Sequence, residues 1–235
     1  MNNALPIDAV LGDLCAAMAG AGRAVLIAPP GAGKTTRAPL ALLPQAKGRI
    51  VMLEPRRLAA RAAAERLADE IGQRPGADIG YRIRGESVPG RRIEVVTEGI
   101  VTRMIQSDPS LPGIGCVIFD EFHERSLHAD LGLALLWEAR GALRPDLGVL
   151  VMSATLDAGP VAALLDGAPV IRSDGRAFEV ETRYLPRPLA PALRFETACA
   201  RLITEAEAET RGDPGGSVLV FLPGEGEIRR VSAAL

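Results

Sequence analysis

Lysine is almost absent from this 235-residue chain: of its 27 Lys and Arg residues only Lys34 and Lys47 are lysine. In so arginine-rich a composition arginine counts carry little weight, and a lysine carries more. Aromatic residues are also scarce, at 3%, so a core has to be aliphatic, which a 48% hydrophobic content allows. The three cysteines, Cys15, Cys116 and Cys199, stand singly and far apart. Without a C-x-x-C pair they suggest neither a disulfide framework nor a zinc site, and buried thiols are expected. No asparagine occurs beyond Asn3, which excludes the N-K-x-D base reader of GTP-binding proteins, and there is no L-S-G-G-Q signature. No apolar run approaches the roughly 18 residues that span a bilayer, and the opening MNNALPIDAV has no basic n-region, so a cytoplasmic chain without membrane contact is expected. A net charge of −2 supplies no global field for nucleic acid, leaving only local clusters to attract it.

What is present alternates. The apolar, partly β-branched runs AVLIAP (24–29), RIVMLEP (49–55), RIEVVTEG (92–99), CVIFDE (116–121) and LGVLVMSAT (147–155) read as strands buried on both faces. Helical patterns lie between them, over 55–71 and 127–141, and an opening helix is marked by Ile7, Val10, Leu11, Leu14 and Met18. Strand alternating with helix predicts a parallel α/β sheet. The polar clusters APPGAGKTT, EPRR, TEG, DEFHER and SAT each follow the apolar part of a strand, and in an open α/β sheet that end is where ligands bind. After Ser173 the texture changes to the proline-rich SDGRAFEVETRYLPRPLAP, then an acidic helical segment (195–210), the loop RGDPGGS and a buried strand VLVFLPG. This predicts a first domain over 1–172 and an incomplete second one over 173–235.

APPGAGKT (28–35) matches the phosphate-binding pattern G-x-x-x-x-G-K-[ST] except that Ala28 stands for the first glycine. Gly31 and Gly33 would let backbone N–H groups turn inward on phosphate oxygens, with Pro30 and Ala32 completing the nucleotide-binding loop. Lys34 would reach the β- and γ-phosphates, Thr35 would offer its hydroxyl to Mg²⁺, and Thr36 follows in the helix. Pro39 is expected to kink that helix. A flexible Gly/Pro loop with an accidental lysine is the bland alternative. DEFH is the matching partner. Asp120, at the end of a buried strand, can hold the Mg²⁺ shell, and Glu121 can orient or deprotonate the attacking water. His123 and His128 lie five residues apart without a third ligand, which does not suit a zinc protease. From spacing alone His123 is equally well a structural group, and His128 a surface or capping residue.

Seven stretches in this order, APPGAGKTT, EPRRLAARAAAERLA, GYRIRGE, VVTEGIVTRMI, DEFHER, SATLD and FLPGEGEI, resemble motifs I, Ia, Ib, II, III and IV of the DEAH-type superfamily 2 helicases. The resemblance covers nearly the whole chain. It implies a RecA-like P-loop sheet flanked by helices, followed by the start of a second RecA-like lobe, and ATP or another NTP with Mg²⁺ as cofactors. It further implies single-stranded RNA or other nucleic acid as partner. His123, Ser153 and Thr155 would couple the nucleotide state to movement between lobes. Arg56, Arg57, Thr97 and Glu98 would lie along the nucleic-acid path, and Arg66 would stack on the base, although a solvated helix face explains Arg66 as well. No adenine-reading glutamine motif precedes the phosphate loop, which implies weak discrimination among NTPs. The family's motifs V and VI, with their arginine fingers, have no counterpart here, so by this resemblance the chain alone is a weak ATPase and no helicase. Two competitors stay open: a P-loop ATPase or kinase unrelated to nucleic acid, and a non-catalytic fragment that holds nucleotide or a partner.

Overall fold

The computed structural model describes residues 4–155, 157–175, 180–185, 194–212 and 215–235. It divides into two compact units, Met1–Phe178 and Glu179–Leu235.

The first unit is built on one sheet. Its strands are β1 (Arg23–Ile27), β2 (Arg49–Glu54), β3 (Ile79–Ile83), β4 (Glu86–Val88), β5 (Ile93–Thr97), β6 (Ile114–Phe119), β7 (Gly148–Ser153) and β8 (Val170–Arg172), in the spatial order β4-β3-β5-β2-β6-β7-β1-β8. Every neighbouring pair is parallel except β3 with β4. Strands buried on both faces need no alternation of polar residues, which is why the five predicted runs read as continuous apolar stretches. The three strands not foreseen are short or polar: β4 carries Glu86 and Ser87, β3 carries Arg82, and β8 has three residues.

The helices are α1 (Leu11–Ala21), α2 (Lys34–Leu42), α3 (Arg57–Glu70), α4 (Glu98–Ser107), α5 (Leu127–Ala142) and α6 (Ala158–Leu164). Alternate strand residues feed two cores. Leu26, Met52, Ile118 and Met152 pack with Leu14, Leu42, Ala64 and Leu67 of α1 to α3, while Val25, Leu53, Phe119 and Val151 pack with Val101, Ile105, Leu133 and Val161 of α4 to α6. Both cores are almost entirely aliphatic, as the scarcity of aromatics requires. Pro39 lies buried inside α2, and the helix ends three residues later.

The second unit holds α7 (Phe195–Thr210) and α8 (Glu225–Ser232), tied by Arg230 Nε to Glu196 Oε1 at 2.7 Å, with Ala198, Ala200 and Val231 buried. Here one expectation fails. VLVFLPG is not a buried strand: it has no ladder partner, Leu219 is 78% exposed and Phe221 86%. A strand is stable only as part of a sheet, and among the described residues this unit offers no second strand to pair with. Of the proline-rich passage, 180–185 forms no strand, while 176–179 and 186–193 lie outside the described residues.

Candidate functional site

The chain leaves β1 at Ile27 and re-enters regular structure at Lys34, the first residue of α2. Ala28 N–H donates to Ser153 O (3.0 Å) and Ala32 N–H to Pro29 O (3.2 Å), which closes the loop on itself. Gly31 and Gly33 take φ values of 77° and 95°, a region that an L side chain enters only with strain. A Cβ at Gly33 would also crowd the Leu5 side chain, meeting its Cδ1 at 2.6 Å. Leu5 and the fully buried Ile7 belong to an N-terminal segment that grips the loop: Ile7 N–H donates to Ala32 O at 3.1 Å. The loop thus delivers Lys34 and Thr35 to the positive end of α2, where anions are stabilised.

Asp120 arrives from β6, with its N–H bonded to Leu53 O of β2 at 3.0 Å. Its carboxylate is spoken for on both oxygens. Oδ2 accepts from the Thr35 hydroxyl at 2.6 Å, and Oδ1 from the Glu121 N–H at 2.8 Å. Glu121 has a φ of 51° and turns its side chain to Lys34, whose Nζ lies 2.8 Å from Oε1. Such a left-handed non-glycine residue costs energy that surrounding structure must repay. Phe122 repays part of it. It is buried edge-on against Phe119, with ring centres 6.2 Å apart, a pairing worth about 0.5–1.5 kcal/mol beyond its area.

His123 Nδ1 lies 3.2 Å from Glu121 Oε2 and 3.5 Å from the N–H of Ala154. One nitrogen serves one of these at a time: protonated it donates to Glu121, unprotonated it accepts from Ala154. Ser153, the residue before, is fully buried, and Thr155 just beyond is exposed.

Charge at this edge is one-sided. Burial, first of all, pushes the Asp120 carboxyl up to about 6 against the pull of Thr35 and Lys34. Glu54, the last residue of β2, is pushed up to about 8 by burial and by the negative charges of Asp120, Glu121 and Glu124, with Lys34 opposing. Glu54 was given no role by the sequence reading, although a glutamate ending an apolar strand carries the same signal as Asp120. A divalent cation would relieve this excess. Among the described residues no three His, Cys, Asp or Glu side chains are disposed to enclose a metal ion. The carboxylate of Asp120 and the hydroxyl of Thr35 are oxygen donors of the kind Mg²⁺ would take, with water and phosphate oxygens completing its shell.

A cavity of about 650 Å³ opens over the loop, lined among others by Pro30, Gly31, Gly33, Lys34, Thr35, Thr36, Arg66 and Glu121. Ala32 is not on that lining, since its side chain is buried in the core. Arg66 is exposed on α3 and does face the cavity. Further along the same sheet edge, Thr97 and Glu98 line a larger groove of about 1380 Å³ together with Arg49, Arg82, Arg84 and Arg103. Arg56 and Arg57 stand outside its lining. Arg57 Nη2 donates to Arg84 O at 2.7 Å, and Arg56 pairs with Glu124 at 2.9 Å. His128 also lines the groove, beside the N-cap of α5, which is Ser126.

A phosphate loop after β1 facing an Asp-Glu pair after β6, a parallel strand with only β7 between, defines a P-loop nucleotide-binding site. Residues 13–164, more than half of the chain, match the DEAD/DEAH box helicase family, and the chain belongs to it. It is 52% identical over 99% of its length to the ATP-dependent RNA helicase HrpB of Escherichia coli K12, of which it covers 29%. With the ATP-dependent RNA helicase HrpA of the same organism it shares 38% identity over 87% of its length, covering 16% of that protein. A crystal structure of E. coli DEAH/RHA helicase HrpB superimposes with a TM-score of 0.84 at 51% identity, over 98% of this chain and 29% of that one. The mostly parallel sheet flanked by helices is therefore the RecA-like arrangement, and this chain spans under a third of the length of these relatives.

Proposed function

We propose that this chain is the nucleotide-binding portion of an ATP-dependent nucleic-acid helicase, coupling Mg²⁺-NTP hydrolysis to movement along single-stranded RNA. The first lobe, 1–172, carries the nucleotide site, and 173–235 opens the second. The observation that carries this reading is the reciprocal pairing of Lys34 with Glu121 and Thr35 with Asp120, four side chains from two loops joined at 2.8 and 2.6 Å.

Each partner has a role when nucleotide is bound. Lys34 exchanges the Glu121 carboxylate for β- and γ-phosphate oxygens, which leaves Glu121 free to orient and deprotonate water. Thr35 and Asp120 are the residues that would hold Mg²⁺, which supplies charge neutralisation on the phosphates. As Glu121 changes partner, His123 is released toward Ala154, linking the hydrolytic glutamate to the loop of Ser153 and Thr155. Arg66 offers its guanidinium face to the base. Arg56, Arg57, Thr97 and Glu98 lie along one edge, where contacts to a strand's backbone fix position without reading sequence.

RNA as the substrate class is supported by the names of the relatives. The test is NTP hydrolysis by the complete helicase core containing this sequence, with and without single-stranded RNA: stimulation by RNA is expected, and equal rates would overturn the reading.

A further inference from the structure

The groove beside α4 holds an ion cluster that nucleotide chemistry does not use. Glu94, the second residue of β5, is completely buried, yet its carboxylate faces two arginines. Arg82 Nη2 of β3 donates to both of its oxygens at 2.8 and 3.0 Å, and Arg49 Nη1 of β2 lies 3.3 Å from Oε2. The register accounts for the meeting. Glu94 pairs with Gly80 and Val51, so Arg82 stands two residues after its position on one side and Arg49 two before on the other, all three on one face of the sheet.

One carboxylate balances one guanidinium, so the cluster keeps one positive charge. Both arginine side chains are about a third exposed, at 37% and 28%, and both line the groove. Arg82 Nε and Nη1, and Arg49 Nε and Nη2, have no partner among the described residues. The other charged groups of the groove are Arg84, Arg103, Glu98 and Asp108. Both acids are engaged locally, Glu98 by the Ser126 hydroxyl and Asp108 by the N–H and hydroxyl of Ser110. Stability does not explain the cluster, because replacing a buried ion pair by apolar residues is often neutral or favourable. Fixing two guanidinium forks side by side on a groove floor does explain it. That geometry suits a tetrahedral anion, to which arginine donates in pairs. Glu94 lies three residues before Thr97, about 10 Å back along the strand at about 3.3 Å per residue, so the cluster sits below the edge where Thr97 and Glu98 stand, in the groove that they also line.

We propose that Arg82 and Arg49 form a seat for one backbone phosphate of a single-stranded nucleic acid, and that Glu94 is the positioning residue that aims them. This rests on the nucleic-acid reading above. The experiment is fluorescence anisotropy of the 235-residue chain with a labelled single-stranded oligouridine RNA over a range of salt concentrations, each variant being checked for folding by circular dichroism. Arg82→Gln combined with Arg49→Gln is expected to weaken binding about 5- to 10-fold at low salt, and to lower the slope of log affinity against log salt by about 0.7, the loss of one phosphate contact. Glu94→Gln removes a negative charge, so a role through the field alone predicts tighter binding; the seat predicts weaker binding. Should Glu94→Gln not fold, the double arginine variant carries the test. Folded double arginine variants with unchanged affinity and slope, while Arg56→Ala with Arg57→Ala binds more weakly, would overturn the seat and leave the nucleic-acid reading standing. Tighter binding by Glu94→Gln would also overturn the positioning role. A wild-type chain that does not bind RNA would overturn the seat, whereas the nucleic-acid reading stands or falls on RNA stimulation of hydrolysis by the complete core.

Discussion

The nucleotide pocket and the groove along α4 lie on one sheet and present their cations by opposite means. In the pocket, backbone turns and buried side chains are locked to one another before any ligand arrives. Lys34 is 5% exposed and already satisfied by Glu121, and Thr35 by Asp120. On the groove side the cations are long arginines, each steadied by an acid or a carbonyl: Arg82 and Arg49 on Glu94 within the groove, and Arg56 on Glu124 and Arg57 on Arg84 O outside its lining. The difference matches the tasks proposed for them. Hydrolysis needs groups preorganised within tenths of an ångström in a water-poor site, whereas a surface that tracks a polymer backbone needs charge and tolerance.

The contrast breaks most sharply at Glu121. Glu121→Gln, in the complete helicase core, is expected to lower NTP hydrolysis by about 10²- to 10⁴-fold, the range lost with a general base, while nucleotide affinity stays within a few-fold. Loss of binding in step with hydrolysis, by titration of the purified variant, would place Glu121 in holding nucleotide rather than in attack. Smaller effects belong to the groove side. Arg56→Ala with Arg57→Ala is expected to reduce single-stranded RNA affinity by roughly 3- to 30-fold and to flatten its salt dependence, with Mg²⁺-ATP affinity unchanged. An equal loss of nucleotide binding would show that the two regions are one site.

The smallest effect concerns Glu54. A carboxyl whose folded pKa is raised, here to about 8 by burial and neighbouring acids, binds a proton that the unfolded chain releases. The native state therefore holds more protons between the unfolded value of 4.5 and about 8. The stability contributed is full below that window and is lost as pH rises through it. Asp120 adds in the same direction up to about 6. The melting temperature of the nucleotide-free chain should then fall by several degrees between pH 6 and pH 8, and Glu54→Gln should remove most of that fall and melt higher at pH 8. A flat profile in the wild type would show that the acids share their burden differently.

How much of this was legible before the structure depends on whether a residue's meaning is local. Lys34, Thr35, Asp120 and Glu121 could be read because each closes an apolar strand or opens a helix, and the sheet brings all such ends to one edge. The five long strands were legible for the same reason. Glu54 closes a strand too, but its consequence depends on Asp120, Glu121 and Glu124 arriving from elsewhere. Glu94 was harder still. Within RIEVVT it looks like an ordinary polar position, and only the alignment of β3, β5 and β2 brings Arg82 and Arg49 to it. The grip of Leu5 and Ile7 on the phosphate loop was likewise invisible, since Ile7 reads simply as part of an apolar helix face. VLVFLPG was misread because composition reports strand propensity and cannot report whether a partner strand is there.

The central claim, that Lys34 and its loop bind Mg²⁺-nucleotide through the phosphates with little regard for the base, is tested most directly by equilibrium binding of Mg²⁺-ATP and Mg²⁺-GTP to this chain and to Lys34→Ala, with folding verified by circular dichroism. Comparable affinity for the two nucleotides, reduced about 100-fold in the folded variant, is the expected result for losing a charge-assisted phosphate contact. A folded wild-type chain that binds neither nucleotide, or a Lys34→Ala chain that binds both as well as the wild type, would contradict it.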